Sequence, residues 1–265
     1  MMTKKQELAV QKETPVATAV YDYGEDARVG FEGTKSTDLS VPFLQLLQAN
    51  SPQVADDNPP GSRAGMLFNT VTSKVTGAEN FLPVHTVEMF VEWVARDQGG
   101  GFVAAHEPSS DVVKAALAGE ARPQGKIILP SGNELIQTHY VYGLVLDADG
   151  TSSDGFAVIG FTSTKIKVYR DWKTAMYMLK GRPPIYAFRA RISTVKQKNE
   201  HGTFFNFSVA PLGATWVECL INPVANPELW AEAIGFRKMV TEGTAKAAYE
   251  TQTAEPSAAG GAAPF

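Results

Sequence analysis

Apolar positions along this chain recur mostly at every second residue, in short runs separated by Gly, Pro, Asn and Asp. The first compact apolar cluster is 41–47 (VPFLQLL), and 50–65, with Pro52, Pro59 and Pro60, reads as a loop. Residues 66–72 and 81–94 are rich in Val, Phe, Thr and Trp and predict two strands joined as a hairpin by a turn at 76–80. Within the second run Val87, Met89, Val91 and Trp93 alternate with Glu88, Phe90 and Glu92, as in a half-buried strand. The segment 96–101 (RDQGGG) breaks that run, and 107–130, with a short helical patch at 111–118, is expected as an insertion between strands. Residues 139–147 and 155–161 predict a second hairpin around a turn at 149–154.

At 162–180 the period changes. Ile166, Tyr169, Trp172 or Lys173, Met176 and Leu179 fall at helical spacing, with Lys167, Arg170 and Thr174 on the other face. Thr162 or Ser163 supplies an N-cap, and Gly181 followed by Pro183 supplies the stop. Residues 185–195 and 203–211 predict a third hairpin, in which Tyr186, Phe188, Ala190 and Ile192 point one way and Arg189 and Arg191 the other. A short amphipathic helix is expected at 228–240. Strands, then a helix, then strands favour a mainly β chain, a small barrel with a plug or cap helix, over an alternating βαβ sheet. The expected organisation is a flexible arm at 1–38, one domain at 39–240 and a disordered tail at 241–265.

Charge sharpens this picture. The chain carries a formal net charge of −4 over 265 residues, so a nucleic-acid site on it must be local rather than spread over the surface. Ten of its 24 Lys and Arg nevertheless fall within 161–207, opposed only by Asp171 and Glu200, and aromatic residues thread the same stretch. Single-stranded nucleic acid needs that pairing, because cations track phosphates while flat rings stack on unpaired bases. The competing reading is structural, since a cationic helix face is most often a solvated face and strand aromatics are most often core. By that rule Phe188, Phe205, Phe207 and Trp172 belong inside.

Other chemistry finds little footing. Four histidines and the lone Cys219 form no metal-ligand spacing, and one cysteine allows no internal disulfide. Gly99, Gly100 and Gly101 lack the Lys-Ser or Lys-Thr of a phosphate loop. Asp147, Asp149 and Asp154 invite a two-metal nuclease reading, but DADGTSSDG is turn chemistry. No catalysis and no cofactor are expected. No run has the length and apolar character of a signal peptide or a membrane span, so no membrane partner is expected.

Several local patterns lie together within about 41–212: Pro42-Phe-Leu-Gln-Leu-Leu-Gln-x-x-Ser-Pro52, Gly65-Met-Leu-Phe-Asn-Thr70, Val91-Glu-Trp93 with Arg96-Asp-Gln-Gly-Gly100, Phe161-Thr-Ser-Thr-Lys165 leading into Arg170-Asp-Trp172, and His201-Gly-Thr-Phe-Phe-Asn-Phe207. In these the chain resembles the single-stranded-DNA-binding proteins of tailed bacteriophages. That resemblance implies an OB-fold, here a five-stranded antiparallel barrel with an inserted segment and the helix at about 162–180. It also implies sequence-tolerant binding of single strands in replication or recombination, in the host cell cytoplasm, with a C-terminal tail recruiting replication proteins. Pro264 and Phe265 look like the tip of such a tail, although only Glu242, Glu250 and Glu255 supply acid near it.

The expected phosphate contacts are Lys165, Lys167, Arg170, Lys173, Arg189, Arg191 and Lys198, and the expected stacking rings are Tyr169, Tyr186, Phe204 and Trp93. Homo-oligomers are compatible with this reading. Two rivals stand beside it: a recombination annealase or nuclease-associated protein, and a phage structural or interaction protein whose basic stretch meets an acidic partner.

Overall fold

The structure, a computed structural model, describes residues 29–30, 40–119, 126–199, 202–247 and 249. The chain divides into two units, Met1–Thr34 and Lys35–Phe265. A turn at 29–30 is all that is described of the first, and the described strands and helices all belong to the second.

In chain order the second unit runs β1 (Ser40–Val41), β2 (Leu44–Leu46), the one-turn helix α1 (Pro52–Ala55), β3 (Leu67–Asn69), β4 (Val75–Thr76) and β5 (Glu79–Trp93). It continues with β6 (Phe102–His106), α2 (Asp111–Ala118), β7 (Ile127–Ile128), β8 (Glu134–Leu146) and β9 (Ser153–Thr162). Then come α3 (Lys165–Tyr177), β10 (Ala190–Asn199), β11 (Gly202–Pro211), α4 (Pro227–Thr241) and β12 (Lys246–Ala247).

Two long strands organise the whole. β5 and β8 pair antiparallel from Asn80↔Leu146 to Trp93↔Glu134. Each then uses its outer edge twice. β5 takes β10 at its start, Glu79–Phe81 against Ile192–Ala190, and β6 at its end. β8 takes β9 along most of its length and β7 at its start. β10 continues into β11, so one end of the sheet reads β9-β8-β5-β10-β11. The inserted β6, α2 and β7 extend the other end, where Glu92 accepts from Asn133 Nδ2 and pairs with His106 Nε2 at 2.8 Å. Partial burial raises the Glu92 pKa, but those hydrogen bonds and the charge of His106 outweigh it and hold the carboxyl below its ordinary value.

The chain is mainly β with a few helices, and its sheets stay open. Among the described residues no ladder joins β9 to β11. The segment around β2 lies between them instead. It meets β9 through the parallel bridge Phe43↔Val158 and meets β11 through the Gln48 carboxamide, which donates to Phe205 O and accepts from Phe205 N, both at 2.9 Å.

Strand alternation sends neighbouring residues into different cores. Phe81, Val141, Ile159 and Phe161 face α3, where Tyr169, Trp172, Met176, Ile192 and Phe207 join them. Leu82, Tyr140, Tyr142 and Val158 face the other way, under Leu229, Ala233 and Phe236 of α4. Each such side chain taken fully out of water contributes about 1.5–3 kcal/mol. Both faces of β5 and β8 are therefore apolar, and Gly143 lets them close up: a Cβ there would sit 2.4 Å from Leu82 O and from the Phe81 ring.

The second hairpin and the helical patch form as the sequence predicts, as β8–β9 and as α2 with Ser110 accepting from Val113 N. The first expected hairpin does not form. Asn69 Oδ1 accepts from Val71 N and Thr72 N, turning the chain back early, so β3 pairs with β2 and β4 and leaves β5 to β8. The helix expected over 162–180 is shorter, because Thr162 still belongs to β9 and Ser163 adopts a left-handed φ of 48°. The strand expected at 185–195 starts at Ala190, since Pro184 leads into a 3-10 turn over Ile185–Ala187. The described residues past 240 are packed: β12 pairs in parallel with β1, Ala245 and Ala247 are buried, and the Tyr249 hydroxyl lies 3.3 Å from that of Tyr142, while the rest of the expected tail lies outside the described residues. Burial pushes both phenol pKa values up. None of the described helices is long and apolar enough to cross a membrane.

Candidate nucleic-acid interface

The basic stretch folds into α3 and the β10–β11 hairpin, the two elements beside the gap between β9 and β11. On α3 the buried stripe is Lys165, Tyr169, Trp172 and Met176. Lys165 is thus turned inward at 5 % exposure, its ammonium 5.9 Å from the centre of the Phe207 ring. Solvent meets Lys167, Arg170, Lys173 and Tyr177. Lys167 forms an exposed i,i+4 ion pair with Asp171 at 2.6 Å, of little energetic weight in water.

Arg170 and Lys173 lie near His139, an imidazole stacked on Tyr169 with ring centres 4.5 Å apart. Burial lowers the His139 pKa first; Glu88 pulls it up, and the Arg170 and Lys173 charges lower it further. Lys173 Nζ donates to Tyr169 Oη at 3.0 Å. Tyr169 is consequently committed on one face to His139 and by its hydroxyl to Lys173, and no base can stack on it without displacing them.

Arg189 and Arg191 serve the opposite end of β10. Arg189 donates from Nε to Cys219 O at 3.2 Å and from Nη1 to Gly150 O at 3.1 Å, tying the β8–β9 turn to the segment after β11. Arg191 is exposed and donates to Asn80 Oδ1 at 2.9 Å, while Asn80 Nδ2 holds Asp147 O and Ala148 O. In that turn Asp147 accepts from Thr151 N and the Ser152 hydroxyl. Slight burial raises the Asp147 pKa, and these hydrogen bonds more than reverse it. The carboxylate is therefore engaged in closing the turn, as the sequence pattern predicts.

At the hairpin tip Lys196 lies across from Phe205, Gln197 from Phe204 and Lys198 from Thr203. Directly opposed side chains share a face, so a cation and a ring stand side by side there. Asn206 Nδ2 reaches Thr164 O at 3.4 Å and Gln197 Oε1 at 3.2 Å, fixing this outer half beside the first turn of α3. Phe204 and Phe205 are half-buried. Along the strand, Lys198 is about 20 Å from Arg191, so the ten cations do not form one wall.

The structure brings together Arg170 and Lys173 on α3, and on the hairpin it sets Lys198 on the same face as Lys196 and Phe205, with Phe204 on the other. It places Lys165, Tyr169 and Trp93 inside. Trp93 packs edge-on against Phe102 at 5.9 Å, and Tyr186 packs against Trp230 at 5.0 Å under α4. Pro264 and Phe265 lie outside the described residues. Lys196 and Tyr177 were not among the expected contacts, although the hairpin register and the helical spacing off the apolar stripe single them out.

Fold and site together define a mainly β protein with one cation-rich helix-and-hairpin face. The family described as Pam3 phage gp34-like protein matches residues 9–246, and the chain belongs to it, which gives it a bacteriophage context. No curated protein and no solved structure matches the chain.

Proposed function

We propose that this protein is a bacteriophage single-stranded-DNA-binding protein of the OB type, holding unpaired strands without strong sequence preference and catalysing no reaction on them. The observation that carries this reading is the strand order β9-β8-β5-β10-β11 with α3 inserted between β9 and β10. Read as strands 3-2-1-4-5, it is the order of the partly open five-stranded Greek-key barrel that recurs in oligonucleotide-binding proteins. The inserted β6, α2 and β7 then occupy the connection between barrel strands 1 and 2.

Charge placement supports the same reading. Arg170, Lys173, Lys196 and Lys198 are exposed on the helix and hairpin, where phosphates are reachable. The opposite face of β5 and β8 is covered by α4. Titration with labelled oligo-dT and with duplex DNA at several salt concentrations tests the proposal. Single strands are expected to bind more tightly, with a log-log salt slope of about −0.7 per phosphate neutralised, so roughly −3 for four contacts. Absence of binding at low salt, or equal affinity for duplex, rejects it.

A further inference from the structure

Base stacking needs a ring with an open face. Among the described residues Tyr177 is the one aromatic side chain standing largely in solvent, at 68 % exposure; the others are buried or half-buried. It ends α3, one residue off the buried stripe that closes with Met176. The Arg182 guanidinium lies over the ring, 5.9 Å from its centre, and so backs one face while leaving the other to solvent. Arg182 takes a left-handed φ of 47°, held by its own N–H donating to Leu179 O at 3.1 Å. That conformation is unfavourable for a side-chain-bearing residue, and here it folds the guanidinium back over the helix end.

Arg170, Lys173 and Tyr177 are spaced i, i+3 and i+7, one stripe about 10 Å long on the exposed side of α3. Among the described residues no carboxylate forms an ion pair with Arg170, Lys173, Lys180 or Arg182. Asp171 is paired with Lys167, and Glu88, which acts on His139, accepts from Gln137 Nε2 at 2.6 Å. Among the described residues the stripe is therefore a run of cations without a carboxylate ion pair, ending in a ring.

We infer that Tyr177, backed by Arg182 and continued by Lys173 and Arg170, is a stacking site for an unpaired nucleobase whose flanking phosphates lie along α3. The inference rests on the proposed single-strand binding and moves its stacking contact from the expected rings to the end of the helix. It gives each group one task. The tyrosine contributes a flat apolar face, the guanidinium behind it strengthens the sandwich by cation–π attraction, and the two α3 cations neutralise backbone charge.

The test compares oligo-dT with an abasic strand of equal length in fluorescence-anisotropy titrations. Tyr177→Ala is expected to weaken oligo-dT binding roughly 5- to 100-fold and to leave the abasic strand nearly unchanged. Tyr177→Phe keeps the oligo-dT affinity. The double variant Arg170→Gln, Lys173→Gln is expected to weaken both strands alike and to reduce the salt slope by about 1.4. Because Tyr177 is exposed, circular dichroism and the thermal midpoint of Tyr177→Ala should match those of the parent protein. If the parent binds oligo-dT but Tyr177→Ala preserves the preference over the abasic strand, as when the patch serves a protein partner, the stacking site is overturned alone. If the parent binds neither strand, the proposed function falls with it.

Discussion

Replacing Gln48 removes a side-chain clamp between the first strands and the basic hairpin, and its cost follows from the geometry. The carboxamide is 8 % exposed and forms two hydrogen bonds with the backbone of Phe205. Gln48→Ala leaves the Phe205 N–H and C=O without that partner, and an unsatisfied buried group costs about 1–3 kcal/mol. Allowing for partial rehydration, because Phe205 is half-buried, the expected loss is about 2–4 kcal/mol. At roughly 2–4 °C per kcal/mol for a domain of this size, Tm falls by roughly 5–15 °C. In urea the midpoint moves while the slope stays, since the surface exposed on unfolding hardly changes. Gln48→Glu separates the hydrogen bonds from packing. A carboxylate still accepts from Phe205 N but sets a lone pair against Phe205 O, whereas the protonated acid donates there. Its folded pKa is raised above the ordinary value of about 4.3, so its deficit relative to wild type is smallest below that value and grows as pH rises through the folded pKa. A loss below about 0.5 kcal/mol for Gln48→Ala refutes the clamp, as does a Gln48→Glu deficit that fails to shrink on acidification.

Gly65→Ala is expected to cost about 2–4 kcal/mol in urea unfolding, because Gly65 has a φ of +90° and an added Cβ would lie 2.4 Å from the Phe205 ring; unchanged stability would contradict the close approach. Acidification should destabilise the protein through two histidines. Burial and then the charge of Arg237 lower the His85 pKa, and burial leads the lowering of His139. The unfolded chain therefore binds more protons than the native one: stability is whole above about pH 6.5 and falls as pH drops below it toward the folded pKa values. Thermal melts of His85→Gln, His139→Gln should show a flatter pH dependence between roughly 7 and 5.5, and a wild-type curve without that slope would refute the sign.

How much of this was legible beforehand depended on whether the deciding chemistry was local. The β8–β9 hairpin was readable because two β-rich runs flank a turn closed by the Asp147 side chain, and α2 because Ser110 caps it. The turn after β3 hid inside Asn69-Thr-Val-Thr-Ser73, where one carboxamide bends a sequence that otherwise looks extended. Ring exposure was less legible still. Alternation tells which side chains share a face, but α4 and the residues through Tyr249, far along the chain, decide that the second face is also covered and that Trp93 and Tyr186 pack inside. Lys165 shows the same limit: once α3 starts at that residue, its stripe with Tyr169, Trp172 and Met176 turns inward, and the ammonium goes with it.

The same covering explains where a ligand can act. Residues 161–207 carry a formal charge of +8 and the rest of the chain −12. α4 packs on one face of β5 and β8, and the exposed cations that α3 and the hairpin carry border the gap that no strand ladder closes. An unpaired strand on the proposed reading is drawn to that border and repelled by the acidic remainder, so it is held along one side rather than wrapped around the domain. Few phosphate contacts are then available, and discrimination in favour of single strands has to come from rings that duplex bases cannot reach. Tyr177 at the end of α3 flanks that cationic border, and on the proposed reading it is the group through which a modest electrostatic attraction becomes selective for unpaired bases.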